Sequence, residues 1–155
     1  MIIKKELKDY IAKNVFPKYD ENDLGHDIDH IFYVIGRSLK FAKEVPNINY
    51  DMVYTIAAYH DVGHSIDAKN HEKISGDILY NDKNLRRFFS KEEISTMRDA
   101  VYDHRASLEK EPRSIYGKIV SSADRNTIID SPLKRTYQYR LEHSHEVNDI
   151  KVLKR

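Results

Sequence analysis

The chain has no cysteine and no tryptophan, and only five glycines and four prolines in 155 residues. Each shortage excludes something. Without thiols there is no disulfide framework, no thiol nucleophile and no cysteine-held zinc or iron–sulfur centre. Any metal must therefore sit on imidazole, carboxylate or water. Glycine falls below the usual ~7%. No G-x-G-x-x-G, P-loop or nucleophile-elbow pattern is present. All-β and doubly wound folds place glycine in their turns, so this composition points to packed helices. Charge of one sign is lacking too, since 26 basic and 25 acidic residues leave a formal net charge of +1. That balance argues against a broad electrostatic surface for nucleic acid. No apolar run approaches the length of a membrane span. The opening MIIKKELKDY lacks the apolar region of a secretory signal. The expectation is a soluble cytoplasmic protein with neither nucleic-acid nor membrane partner. The length suits one domain over residues 1–155, and no repeat, linker or low-complexity segment divides it.

What the chain does have is helical periodicity. Residues 2–13 carry Ile3, Leu7, Tyr10 and Ile11 on one stripe, before Pro17. Residues 29–45 repeat Ile31, Val34, Ile35, Leu39, Ala42 and Val45 at three- and four-residue steps, with Asp27 or Asp29 as a cap and Pro46 as a stop. Helices are also predicted over 50–61, 70–81, 91–105 and 114–128. Gly63 follows the first of these, and Ser90 and Glu93 make a capping box for the third. Pro132 suits the first turn of a last helix running to about 144. The fold expected is all-α, about seven helices in one bundle. The 11 tyrosines are spread along these helices and read as packing residues.

The eight histidines divide unevenly. His60 lies four residues after Ile56 and seven after Val53, on the apolar stripe, with Asp61 beside it. Asp124 sits inside KIVSSADRNTII, four after Val120 and four before Ile128. His104 follows Ala100 and Val101 at helical steps, His71 precedes Ile74 and Ile78, and His30 precedes Val34. Six metal-capable side chains are thus predicted to point inward from five helices. Singly, each has a plain explanation: a hydrogen-bonded core histidine, an Asp124 paired with Arg125 or Arg37, an Asp61 capping the next helix. Together they are an odd way to build a core, because a buried carboxylate must be neutralised, paired or metal-bound. They suit one or two divalent cations held by nitrogen and oxygen.

In these residues the sequence resembles the HD superfamily of metal-dependent phosphohydrolases. The family's signature is a His, an adjacent His-Asp pair and a distant Asp. Here they are His30 in GHDIDHIFYV, His60-Asp61 in IAAYHDVGH and Asp124 in KIVSSADR. NHEKISGDIL carries a further His71, and AVYDHRAS a further His104, as in two-metal members. The likeness spans about residues 26–128. It implies an all-α fold. It also implies a first metal on His30, His60, Asp61 and Asp124, and a second on His71 and His104 with Asp61 bridging. The metals in view are Mn, Fe, Co, Ni, Mg or Zn, one or two per chain. The sequence departs from the family where many members place Lys or Glu after the pair, since His64 stands there. The Glu-Asp motif of guanosine-tetraphosphate hydrolases and the GYP motif of cyclic-dinucleotide phosphodiesterases are absent.

The expected activity is hydrolysis of a phosphoester or phosphoanhydride in a nucleotide or small phosphorylated metabolite. Metal-bound water has a lowered pKa and attacks phosphorus, with Asp61 accepting its hydrogen bond. His26 and His64 are candidates to give the leaving group its proton. Arg105, Arg125 and Lys69 are candidates to bind phosphate, Lys69 the weakest of them. His143 and His145 receive no role. Two rivals share the same six donors: a di-iron centre that activates oxygen, and a non-catalytic domain that senses a nucleotide. A homodimer is conceivable through exposed aromatic positions.

Overall fold

The computed structural model describes residues 2–22, 26–105 and 110–129, with side chains through Arg125. These residues form six α-helices and no strand: α1 (Lys5–Asn14), α2 (Ile28–Ala42), α3 (Tyr50–Tyr59), α4 (His71–Asn81), α5 (Lys91–Tyr102) and α6 (Ile115–Ile129). Short 3-10 segments at Phe16–Glu21 and Lys83–Arg87 follow α1 and α4. The helix expected after Pro132 lies outside the described residues, as do His143 and His145.

Residues 52–59, MVYTIAAY, are all buried. A helix that is apolar all round must lie inside a bundle, and α3 touches each of the other five helices. Helix α2 packs on α3 and α6, and α4 packs on α5. The helix starts are well specified. Asp27 and Asn49 accept from the backbone N–H of His30 and Met52. Ser90 and Glu93 form the expected reciprocal box, at 3.1 and 2.8 Å. Such caps satisfy donors that a helix leaves unpaired at its start.

The ends of α3 and α5 depart from expectation. The helices read over 50–61 and 91–105 stop at Tyr59 and Tyr102. Past each end the chain tightens into i to i+3 turns: Val62 N–H donates to Tyr59 O at 3.1 Å, and His104 N–H to Val101 O at 3.3 Å. Buried positions continue through both turns, with His60 and His104 on the helical stripe, so spacing alone runs on. Side chains compete for the last carbonyls. His60 Nδ1 lies 2.7 Å from Ala57 O, and His104 Nδ1 lies 2.6 Å from Val101 O. A helix C-terminus leaves such carbonyls without intrahelical partners, and imidazole N–H groups satisfy them here.

Two glycines set close approaches. At Gly63 a Cβ would lie 2.5 Å from Ile74 Cγ2, so the turn after Asp61 sits directly on α4. At Gly76 a Cβ would overlap the Tyr102 ring, and the Tyr102 hydroxyl is hydrogen-bonded to Asp77. The ring is therefore held from both ends and cannot swing away. We expect Gly76→Ala to destabilise the protein by about 1–3 kcal/mol through overpacking. The urea unfolding midpoint checks this, and an unchanged or higher midpoint contradicts it.

Candidate metal centre

Five helices bring six donors to one place, mostly by their ends. His30 sits in the first turn of α2 and His71 is the first residue of α4. His60 and Asp61 leave α3, His104 leaves α5, and Asp124 alone projects from mid-helix, on α6. The expectation of six donors on helix faces is thus corrected: three of them stand just past a helix end. His30, His60, Asp61, His104 and Asp124 are buried, and His71 is half-buried.

The turn carrying His60 and Asp61 is held by its neighbours. The buried Tyr19 hydroxyl donates to Ala58 O at 2.7 Å and accepts from Asp61 N–H at 3.2 Å. Asn22 Nδ2 donates to Asp61 O at 3.0 Å, and Gly63 N–H donates to Ser75 Oγ at 2.8 Å. Backbone polar groups at this buried turn are thereby satisfied, as burial requires.

Asp61 divides the imidazoles. Its Oδ2 lies 3.6 Å from His30 Nε2 and 3.6 Å from His60 Nε2. Asp124 Oδ1 joins that half, 2.9 Å from His30 Nε2 and 3.7 Å from His60 Nε2. Asp61 Oδ1 faces the other way, 3.1 Å from His71 Nε2 and 3.4 Å from His104 Nε2. Donors about 2.0–2.2 Å from a common ion stand roughly 3–3.5 Å apart. Both halves approach that spacing.

The orientation of the rings fits a cation. A carbonyl can only accept, so a ring nitrogen on one carries the proton. The Nδ1–H groups of His60, His104 and His71 donate to Ala57 O, Val101 O and Ala68 O, the last at 3.0 Å. Each Nε2 is then the nitrogen turned into the cluster, and once unprotonated it is the ligand atom of the tautomer that metal sites require. His60 Nε2 and Asp61 Oδ1 are buried and make no hydrogen bond. Buried polar atoms are rarely left so, and both belong to this cluster. His30, His60 and Asp124 form one compact donor triad, and His60, Asp61 and His104 another. The donor set fits a divalent cation.

Electrostatics point the same way. Burial pushes the Asp61 carboxyl up, but the His60 charge and the nearby rings of His104, His26 and His71 hold it well below the usual range. Burial likewise opposes ionisation of Asp124, and His30 and His60 outweigh it. Burial lowers the His60 imidazole, but Asp61 and Asp124 together push it up to about 9. Two buried carboxylates thus attract positive charge strongly, whether it arrives as protons or as a metal.

The remaining candidate residues are placed as follows. His26 precedes α2 yet reaches the cluster, with Nδ1 3.0 Å from Asp61 Oδ2. His64 stacks on it, with ring centroids 3.6 Å apart. Arg105 donates to Lys69 O at 3.0 Å and to Glu72 Oε1 at 3.3 Å. Lys69 is exposed, and its carbonyl is what meets Arg105. Arg125 is exposed on α6, donates to Ser121 Oγ at 2.9 Å and lines a groove of about 320 Å³ with Lys110 and Lys118. Arg37 does not pair with Asp124 as one plain explanation had it, but lies over the rings of Tyr33 and Phe41. Sequence reasoning missed Glu72, Tyr19 and Asn22. Glu72 adjoins His71, the one signal that marked it. Tyr19 and Asn22 act on Asp61 through its backbone, which leaves no spacing pattern.

An α-helical bundle with a His, an adjacent His-Asp pair and a distant Asp converging on one centre defines the class. The family model for the HD domain matches residues 27–127. The chain belongs to the HD domain family. Its fold is similar to that in the crystal structure of a predicted HD superfamily hydrolase from an uncultured Thermotogales bacterium. The TM-score is 0.66 at 20% identity, over 96% of this chain and 82% of that one. No curated protein matches the chain significantly.

A pH dependence follows from His60. Metal-free, with its pKa raised from 6.5 to about 9, it is protonated at pH 7 and must lose that proton to ligate. Apparent Mn²⁺ affinity should therefore rise by about tenfold per pH unit between pH 7 and 9 and then level off. For folding the sign is opposite. A raised pKa stabilises below the unfolded value and is lost as pH rises through the folded one. From this group the metal-free protein should lose thermal stability from pH 6.5 to about 9. Metal titrations and melting curves across that window check both trends, and an affinity that falls with pH contradicts them.

Proposed function

We propose that the protein is a metal-dependent phosphohydrolase acting on a nucleotide or small phosphorylated metabolite. The observation that carries this reading is one buried carboxylate, Asp61, whose Oδ1 faces His71 and His104 and whose Oδ2 faces His30, His60 and, from the mouth, His26. His30, His60, Asp61 and Asp124 would hold a first ion, and His71 and His104 a second, with Asp61 shared. Divalent ions held there acidify water and neutralise phosphoryl charge.

The chain's own residues supply the rest. Asp61 is fixed through its backbone by Tyr19 and Asn22, so its carboxylate is oriented before substrate arrives. Preorganisation of this kind lowers the cost of reaching the transition state. His26, 3.0 Å from Asp61 Oδ2, and His64, stacked on it, would be the groups that give the leaving group its proton. The net charge of +1 gives a weak overall field, so an anionic substrate is held locally, by the ions and nearby basic groups.

The test is phosphate release by purified protein with Mn²⁺, Co²⁺, Ni²⁺ or Mg²⁺, on nucleotides, dinucleotides and simple phosphate esters. We expect metal-stimulated turnover. Asp61→Ala should lose bound metal and more than the roughly 10²-fold in activity that removing a partner behind a metal ligand costs. Absence of turnover on all these esters, or full metal occupancy in Asp61→Ala, refutes the reading. Tightly bound iron with oxygen consumption and no phosphate release would mark oxidative chemistry on the same donors.

A further inference from the structure

The two histidines on Asp61 Oδ1 are each followed by a charged residue, and those two residues meet. Glu72 follows His71 and Arg105 follows His104. Arg105 NH1 lies 3.3 Å from Glu72 Oε1, and NH2 donates to Lys69 O at 3.0 Å. One guanidinium thus joins three segments: the exit of α5, the start of α4 and the loop leading into α4. The other Glu72 oxygen, Oε2, is buried, makes no hydrogen bond and lies 3.6 Å from His71 Nδ1. The Glu72 side chain is 15% exposed and that of Arg105 40%. A pair this open adds little to stability. Its position matters more, because it spans the two turns that aim His71 Nε2 and His104 Nε2 at the same oxygen. The other half of the cluster, His30, His60 and Asp124, has no comparable contact with either residue among the interactions described.

We infer that Glu72 and Arg105 are positioning residues that set the His71–His104 half of the centre, and thereby how tightly its cation is held. The inference rests on the two-ion reading above. It also reassigns Arg105, which sequence reasoning offered as a phosphate ligand. The guanidinium fork matches a carboxylate and a carbonyl together, a geometry that an ammonium cannot reproduce. Glu72 places negative charge behind the His71 ring, where carboxylate partners orient metal-bound imidazoles.

The experiment is equilibrium Mn²⁺ binding to the full chain, with free Mn²⁺ read by electron paramagnetic resonance. Wild type is compared with Glu72→Gln, Arg105→Gln, Arg105→Lys and the Glu72→Gln/Arg105→Gln double variant. Melting of each metal-free protein reports folding. We expect two ions in wild type. In each Gln variant the weaker ion should bind roughly 10- to 100-fold less tightly, with the tighter ion unchanged. The double variant should be no worse than the more affected single one, because the two residues act as a unit. Arg105→Lys should recover only part of the loss. Two ions bound as in wild type by both Gln variants overturn the inference and leave the two-ion reading standing. So does an equal loss at both ions, which marks general disruption. An Arg105→Gln protein that keeps both affinities but has a raised KM assigns Arg105 to substrate. A wild type that takes up one ion overturns the two-ion reading and this inference with it.

Discussion

The structure is organised around the cost of burying the Asp61 carboxylate, whose residue is 1% exposed. An ionised carboxylate removed from water loses solvation worth several kcal/mol even after relaxation. It survives only where positive charge, hydrogen-bond donors or a cation can converge on it. Around Asp61 that compensation is a ring of imidazoles: His30, His60, His71, His104 and, from the mouth, His26. Imidazole is suited to this task. It offers a proton to a carboxylate or a lone pair to a metal, and its other nitrogen can be anchored independently.

The bundle serves that convergence. Helix α3 is buried from Met52 onward and delivers His60 and Asp61 at its exit, in the middle of the other helices. The chain changes from α to 3-10 geometry there, and the side-chain N–H of His60 joins its own backbone N–H on Ala57 O. The same device recurs with His104 and Val101 O at the exit of α5. Helix termination and the orientation of the imidazole are thus one event at both places. His30 and His71 enter from the opposite kind of end, where Asp27 caps α2 and Arg105 braces the approach to α4.

Much of this was legible in the sequence, because burial and chemistry conflict visibly there. Asp124 within an apolar run, and the adjacent His60-Asp61 after IAAY, announce charge where a core should be. The helices themselves followed from their three- and four-residue apolar steps. Less visible was where those helices stop, since buried positions at helical spacing, His60 and His104 among them, continue past Tyr59 and Tyr102 while the hydrogen bonding changes. His26 was expected to reach the site if α2 began early, yet it does so from a turn before Ile28, through a contact across 35 residues. Tyr19, Asn22 and Glu72 escaped because they act through backbone groups or through a partner on another helix. Arg105 looked like a substrate ligand from its place beside His104, and only the fold brings Glu72 and Lys69 O to it.

The proposed function turns on Asp61 being shared between two cations, one at each of its oxygens. Anomalous diffraction from crystals of the protein loaded with Mn²⁺ tests it most directly. Two anomalous peaks are expected, one among His30, His60, Asp61 and Asp124 and one among Asp61, His71 and His104. A single peak, or peaks that leave Asp61 outside the coordination of either ion, would contradict it.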